Sequence, residues 1–131
     1  MTRLHHLAIG TPDVERLARF YREVFALVEV RRHVRADGSL RSVWLDLDGA
    51  LLMIERTDEL SRRVEGIGSG LFLIAFRTTA GELSGLERAL ERAGTTIEAR
   101  TEFSAYARDP DGNRIALSHY PEPRVRAEAT T

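Results

Sequence analysis

The sequence predicts an α+β fold built from two βαβββ modules, and three observations carry that expectation. The order strand, helix, three strands occurs twice, with His6 of the first copy matching Leu71 of the second at an offset of 65 residues. Asp-Gly dipeptides at 37–38 and 48–49 cut the first copy's later strands into hairpins, because Gly accepts a positive φ freely. Apolar residues recur at helical spacing in two stretches, 14–25 and 83–93.

The elements follow in order. Residues 4–10 read as a short strand. Thr11 and Pro12 suit an N-cap and first helical position, since Pro lacks only an N–H that would be orphaned there. Val14, Leu17, Ala18, Tyr21, Val24 and Phe25 then mark one helical face. Extended segments follow at 28–35, 41–47 and 50–56, and a polar stretch at 57–70 reads as a linker. The second copy begins with a strand at 71–76, then Leu83, Leu86, Leu90 and Ala93 on a helix stopped by Gly94. Strands at 97–100, 103–108 and 114–120 complete it, with Asp109-Pro110-Asp111-Gly112-Asn113 as the last turn. A single domain over 1–122 is expected, with modules at 1–56 and 71–120 and a mobile tail at 123–131.

Composition removes several chemistries. The 131-residue chain has no cysteine and no lysine, so all 19 basic residues are arginine. Thiol nucleophiles, thiolate-held metals, lysine Schiff bases and a Walker lysine are excluded. A net charge of −1 gives no broad positive field for nucleic acid or an anionic membrane. The longest apolar run, 71–76, is too short to span a bilayer, and the first ten residues carry two histidines where a signal peptide needs an apolar core. A cytoplasmic protein without nucleic-acid or membrane partners is expected.

Two-residue turns would set the register of the first meander. With Asp48-Gly49 as one turn, Leu47 faces Ala50, Trp44 faces Met53 and Ser42 faces Glu55. With Asp37-Gly38 as the other, Ala36 faces Ser39, His33 faces Ser42 and Arg31 faces Trp44. Alternation then puts Arg31, His33, Ser42, Trp44, Met53 and Glu55 on one face, and Val30, Val34, Val43, Leu45, Leu47, Leu52 and Ile54 on a helix-packed core face. One side of an antiparallel sheet is commonly just solvated. Trp44 and Met53 argue instead for a partly apolar cup, with Leu71, Leu73 and Ala75 extending its lining.

The stretches LHHLAIGTPDVERLARFY, LLMIE and YARDPDGNRIALSHY resemble the vicinal oxygen chelate superfamily of glyoxalases, bleomycin-resistance proteins and extradiol dioxygenases. The resemblance runs from Leu4 to Tyr120. It implies mixed sheets curled around a cup, a homodimer, and a divalent metal (zinc, nickel, manganese or iron) held by His and Glu at four strand positions. Two of those positions match His6 and Glu55; the other two hold Leu71 and Ala116, which cannot ligate. The resemblance therefore implies either no metal or a weakly bound one. His33 is two strands from Glu55, and alternation aims His119 away from the face of Ala116, so neither replaces a missing ligand.

Candidate roles follow. Glu55 closes an otherwise apolar strand, so it is either solvated at a rim or held by Arg31, His33 or His6, and it is the candidate general base. Tyr106 matches the tyrosine of the dioxygenase signature and shares the face of Ala116 if the turn has five residues; its plainer role is a core aromatic. Arg31, His33, Ser42, Trp44, Met53, Leu71, Leu73, Ala116 and Ser118 are the expected lining of a small-molecule site. Three functions compete: a metal-independent binder of a small organic molecule, a lyase, isomerase or dioxygenase using His6 and Glu55, and a dimerising module without a ligand.

Overall fold

The computed structural model describes residues 1–122, so the expected mobile tail at 123–131 lies outside the described residues. The element order is β1 (His6–Thr11), α1 (Val14–Phe25), β2 (Glu29–Val34), β3 (Leu40–Leu47), β4 (Ala50–Arg56), β5 (Leu73–Arg77), α2 (Leu83–Arg92), β6 (Ala99–Arg100), β7 (Ser104–Arg108) and β8 (Arg114–Ser118). This is βαβββ twice, giving two four-stranded mixed sheets ordered β1-β4-β3-β2 and β5-β8-β7-β6. The described residues form two compact units, Met1–Arg63 with Pro110–Gly112, and Val64–Asp109 with the described residues from Asn113 to Glu122. No helix among the described residues is long and apolar enough to cross a membrane.

In the first unit, α1 buries Val14, Leu17, Ala18, Phe20, Tyr21 and Val24. The sheet residues Val43, Leu45, Leu52 and Ile54 are fully buried. Each such side chain contributes about 1.5–3 kcal/mol of transfer free energy. The helix starts later than expected. Thr11 remains in β1, and Asp13 is the N-cap, its carboxylate accepting from the Arg16 N–H at 3.1 Å. Thr11 Oγ1 in turn accepts from the Asp13 N–H at 3.1 Å. A carboxylate on the helix's positive end displaces the Thr11-Pro12 start.

The Asp48-Gly49 hairpin forms with both residues at positive φ, 50° and 94°, and Leu47 opposite Ala50. The other hairpin is corrected by one residue. Arg35, not Ala36, faces Ser39, their backbone bond being 2.8 Å. Asp37 Oδ1 accepts from both the Ser39 N–H and its hydroxyl, which shapes a three-residue loop ending in Gly38 at φ 87°. A register shift between His33 and Val34 then restores the expected pairing, so His33 still faces Ser42 and Arg31 still faces Trp44. The shifts at both ends of β2 also carry Val30 and Val34 out of the core. They are 52% and 58% exposed, against the expectation that both would be buried.

In the second unit, Phe76, Ala105, Ala107, Ile115 and Leu117 are buried, as are Leu83 and Leu90 of α2. Gly94 follows the helix at φ 89°, the left-handed position that a C-terminal stop requires. Arg100 on β6 pairs with Glu87 on α2 at 3.0 Å. Leu71 was expected to begin the strand. It lies before β5 and is 82% exposed.

Candidate functional site

The polar face of the first sheet can be built row by row. Across the strands one row runs His33, Ser42, Glu55, Gly10, and the next runs Arg31, Trp44, Met53, Ala8. Partners in one row project to the same side of the sheet, so these side chains form one surface. Trp44 sits at its centre. Its indole Nε1–H donates to Glu55 Oε1 at 3.2 Å. Its ring lies 4.9 Å from the His33 ring, and the Arg31 guanidinium sits 5.7 Å from its centroid. Glu55 is therefore held by Trp44, a partner not among the three expected from sequence.

Ser42 is fully buried, yet its hydroxyl has no hydrogen-bond partner. His33 Nε2, on its row neighbour, is likewise buried and unpartnered. Leaving one such group unsatisfied costs about 1–3 kcal/mol. Two in adjacent positions on one face is a local deficit that a polar ligand group would remove.

His6 lies on the same face but does not meet Glu55. The parallel ladder puts His6 opposite Leu51 and Glu55 opposite Gly10, four positions or about 13 Å along the strand. His6 instead has its Nδ1 at 2.8 Å from that of His5, and both rings are exposed. Leu71 and Ala116 offer no donor atoms. Among the described residues no three His, Asp or Glu side chains stand close enough to hold a metal ion. The donor set does not fit a family-type metal centre, and no chemical step is derived through one.

The second sheet has its own polar face. Tyr106 pairs with Ala116, Ser104 with Ser118 and Arg108 with Arg114. On the other side of β8, Leu73 pairs with Arg114 and Ala75 with Ala116. Tyr106 thus shares the face of Ala116, through the five-residue turn. Ser104 donates to Ser118 Oγ at 3.2 Å. Sequence reasoning missed Arg114 here; its position two residues before Ala116 was the available signal. His119 follows β8, buried against Phe103. It borders a cavity of about 440 Å³ lined by Arg77, Thr78, Glu82 and Tyr120 among others, and none of the expected site residues is part of that lining.

Comparison with known proteins is consistent with this topology. A glyoxalase/dioxygenase from Nostoc punctiforme superposes with a TM-score of 0.75 at 23% identity, covering 92% of each chain. The fosfomycin resistance protein FosX from Listeria monocytogenes gives 0.73 at 19% identity, covering 91% of this chain and 92% of its own. Lactoylglutathione lyase from Agrobacterium tumefaciens gives 0.67 at 20%, covering 92% and 95%. No curated protein sequence matches. The family model described as Glyoxalase/Bleomycin resistance protein/Dioxygenase superfamily matches residues 3–117, and the chain belongs to that superfamily.

Proposed function

We propose that this protein binds a small organic molecule on the polar face of its first unit, without a complete family metal centre. One observation carries the reading: Ser42 Oγ and His33 Nε2 are buried, adjacent on the ladder and unpartnered. A ligand hydroxyl or carbonyl would satisfy them, with Arg31, Trp44, Met53 and Glu55 around it. Within the second unit, Leu73, Ala116 and Ser118 are proposed as ligand-lining residues of that unit's own polar face. The working form is proposed to be a cytoplasmic homodimer.

A variant of the Listeria FosX was solved with manganese(II) and a dihydroxypropylphosphonic acid. That metal use is not carried to this chain, because its own donors do not converge. Native mass spectrometry with metal quantification, on protein purified without chelator, tests the reading. The expected result is a dimer at twice the chain mass, free of stoichiometric metal, with or without a retained organic ligand. Near-stoichiometric metal would overturn it.

The geometry of Glu55 favours a second reading, a proton-transfer enzyme. Trp44 fixes one carboxylate oxygen by hydrogen bond, the arrangement a positioned general base requires. Tyr106 is the other proposed catalytic group, and His6 would serve only in the metal-dependent version. Once a substrate is found, Glu55→Gln should lower turnover by on the order of a hundredfold; unchanged turnover would remove Glu55 from the chemistry.

A further inference from the structure

Arg108 and Arg114 face one another across the β7–β8 ladder. Like charges in directly opposed positions destabilise a sheet, and the two arginines differ in how that charge is met. Arg108 is 6% exposed and places Nε at 3.1 and 3.2 Å from the two Glu98 carboxylate oxygens, while its Nη1 donates to the Val64 carbonyl. Arg114 has no such partner. It makes no hydrogen bond or ion pair to any described residue, and its Nε is buried without an acceptor.

What Arg114 has is rigidity. Its guanidinium carbon lies 4.7 Å from the Phe72 ring centroid and 5.7 Å from that of Tyr106. Two aromatic contacts hold the plane of the guanidinium while leaving its hydrogen-bonding edge unused. Nε is sealed from water while the residue as a whole is half-buried, which leaves the two terminal nitrogens as the groups able to meet a ligand. The row partner of Arg114 on β5, Leu73, and Ala116 two residues further along β8 are apolar and weaken competition from water. A charge in such surroundings interacts more strongly with an incoming anion than one in bulk solvent.

We propose that Arg114 anchors an oxyanion subsite, taking the carboxylate, phosphate or phosphonate group of a ligand in a bidentate fork. The shared chemistry is a flat or tetrahedral oxyanion with two acceptor oxygens on one side. The subsite rests on the second unit alone and does not depend on the Ser42 face.

The test is a titration of the full-length protein with sodium benzoate and, separately, sodium methylphosphonate at constant ionic strength, with sodium chloride as the control. The readouts are the NMR signal of the Arg114 Nε–Hε group and the ring signals of Phe72 and Tyr106. A saturable shift of these signals by at least one oxyanion, absent with chloride, is expected. Arg114→Gln should abolish the saturation at Phe72 and Tyr106, and Arg114→Lys, which keeps the charge and loses the fork, should weaken it roughly tenfold. The amide spectra of both variants establish that they fold, and Arg114→Lys serves if the glutamine variant does not. Glu91→Gln, on the exposed face of α2, should bind either anion as the parent does. No saturable shift up to about 50 mM anion, a binding free energy weaker than ~2 kcal/mol, would overturn the subsite. So would equal binding by Arg114→Gln, or loss of binding in Ser42→Ala with retention in Arg114→Gln; that last pattern would leave the Ser42 reading standing.

Discussion

Under the proposed function, Ser42 would trade stability for binding. Its hydroxyl is buried and unpartnered, so the folded protein carries a desolvation cost that alanine would not. Ser42→Ala should therefore be neutral or stabilising by up to about 1 kcal/mol, read from the urea midpoint. Ligand binding on that face should weaken in the same variant. A clear loss of stability would show that the hydroxyl has a partner in solution. Much of this face was legible beforehand, because Asp48-Gly49 sets the pairing of Ser42 with Glu55 and Trp44 with Met53. The role of Trp44 as donor to Glu55 was not, because a diagonal contact depends on how a long side chain leans, which alternation does not specify.

At the scale of elements, a four-membered ionic network joins α1 to β2. Arg32 contacts Glu15 at 2.7 Å and Glu29 at 2.8 Å, and Arg22 contacts Glu29 at 2.9 Å and Glu15 at 3.4 Å. The hydrogen bond from Arg32, the largest influence, holds the Glu15 carboxyl below its ordinary value of 4.5. A carboxyl with a depressed folded-state pKa stabilises the fold above its unfolded value, and that contribution fades as pH falls through the folded value. Stability should thus decline on acidification below about pH 4.5, and Arg32→Gln should flatten that acid limb of Tm against pH. Because these groups are partly exposed, added salt should flatten it too; a salt-independent limb would assign the acid sensitivity elsewhere. The same scale explains the two Asp-Gly turns. One forms a two-residue turn, whereas Asp37's carboxylate captures Ser39 and makes a three-residue loop. A local side-chain bond of that kind competes with the dipeptide's usual turn. The shift between His33 and Val34 then cancels the difference, which is why Arg31 and His33 still align with Trp44 and Ser42.

At the scale of the whole molecule, the Asp109–Asn113 turn stands out, because its centre belongs to a different compact unit from its flanking strands. Pro110–Gly112 group with Met1–Arg63, and Arg16 donates to the Pro110 carbonyl at 3.2 Å. Gly112 has φ 89°, and a Cβ there would meet the Arg63 Cα at 3.1 Å. Gly112→Ala should cost about 2 kcal/mol or more, combining left-handed strain with a backbone clash, measured by denaturant unfolding. A cost near zero would mean that the turn relaxes freely. The sequence by itself determined the repeated βαβββ order, the register across the Asp48-Gly49 turn, the face shared by Arg31, His33, Ser42, Trp44, Met53 and Glu55, and the missing ligand types at Leu71 and Ala116. These follow from alternation and short turns, which act over a few residues. Only the tertiary structure decided that His6 lies beside Leu51 rather than near Glu55, that Val30 and Val34 leave the core, and that Arg114 is clamped between Phe72 and Tyr106. Parallel pairing joins strands through a long crossover, so no turn transmits its register. Burial at an edge strand and the stacking of an arginine depend on neighbours that are distant along the chain.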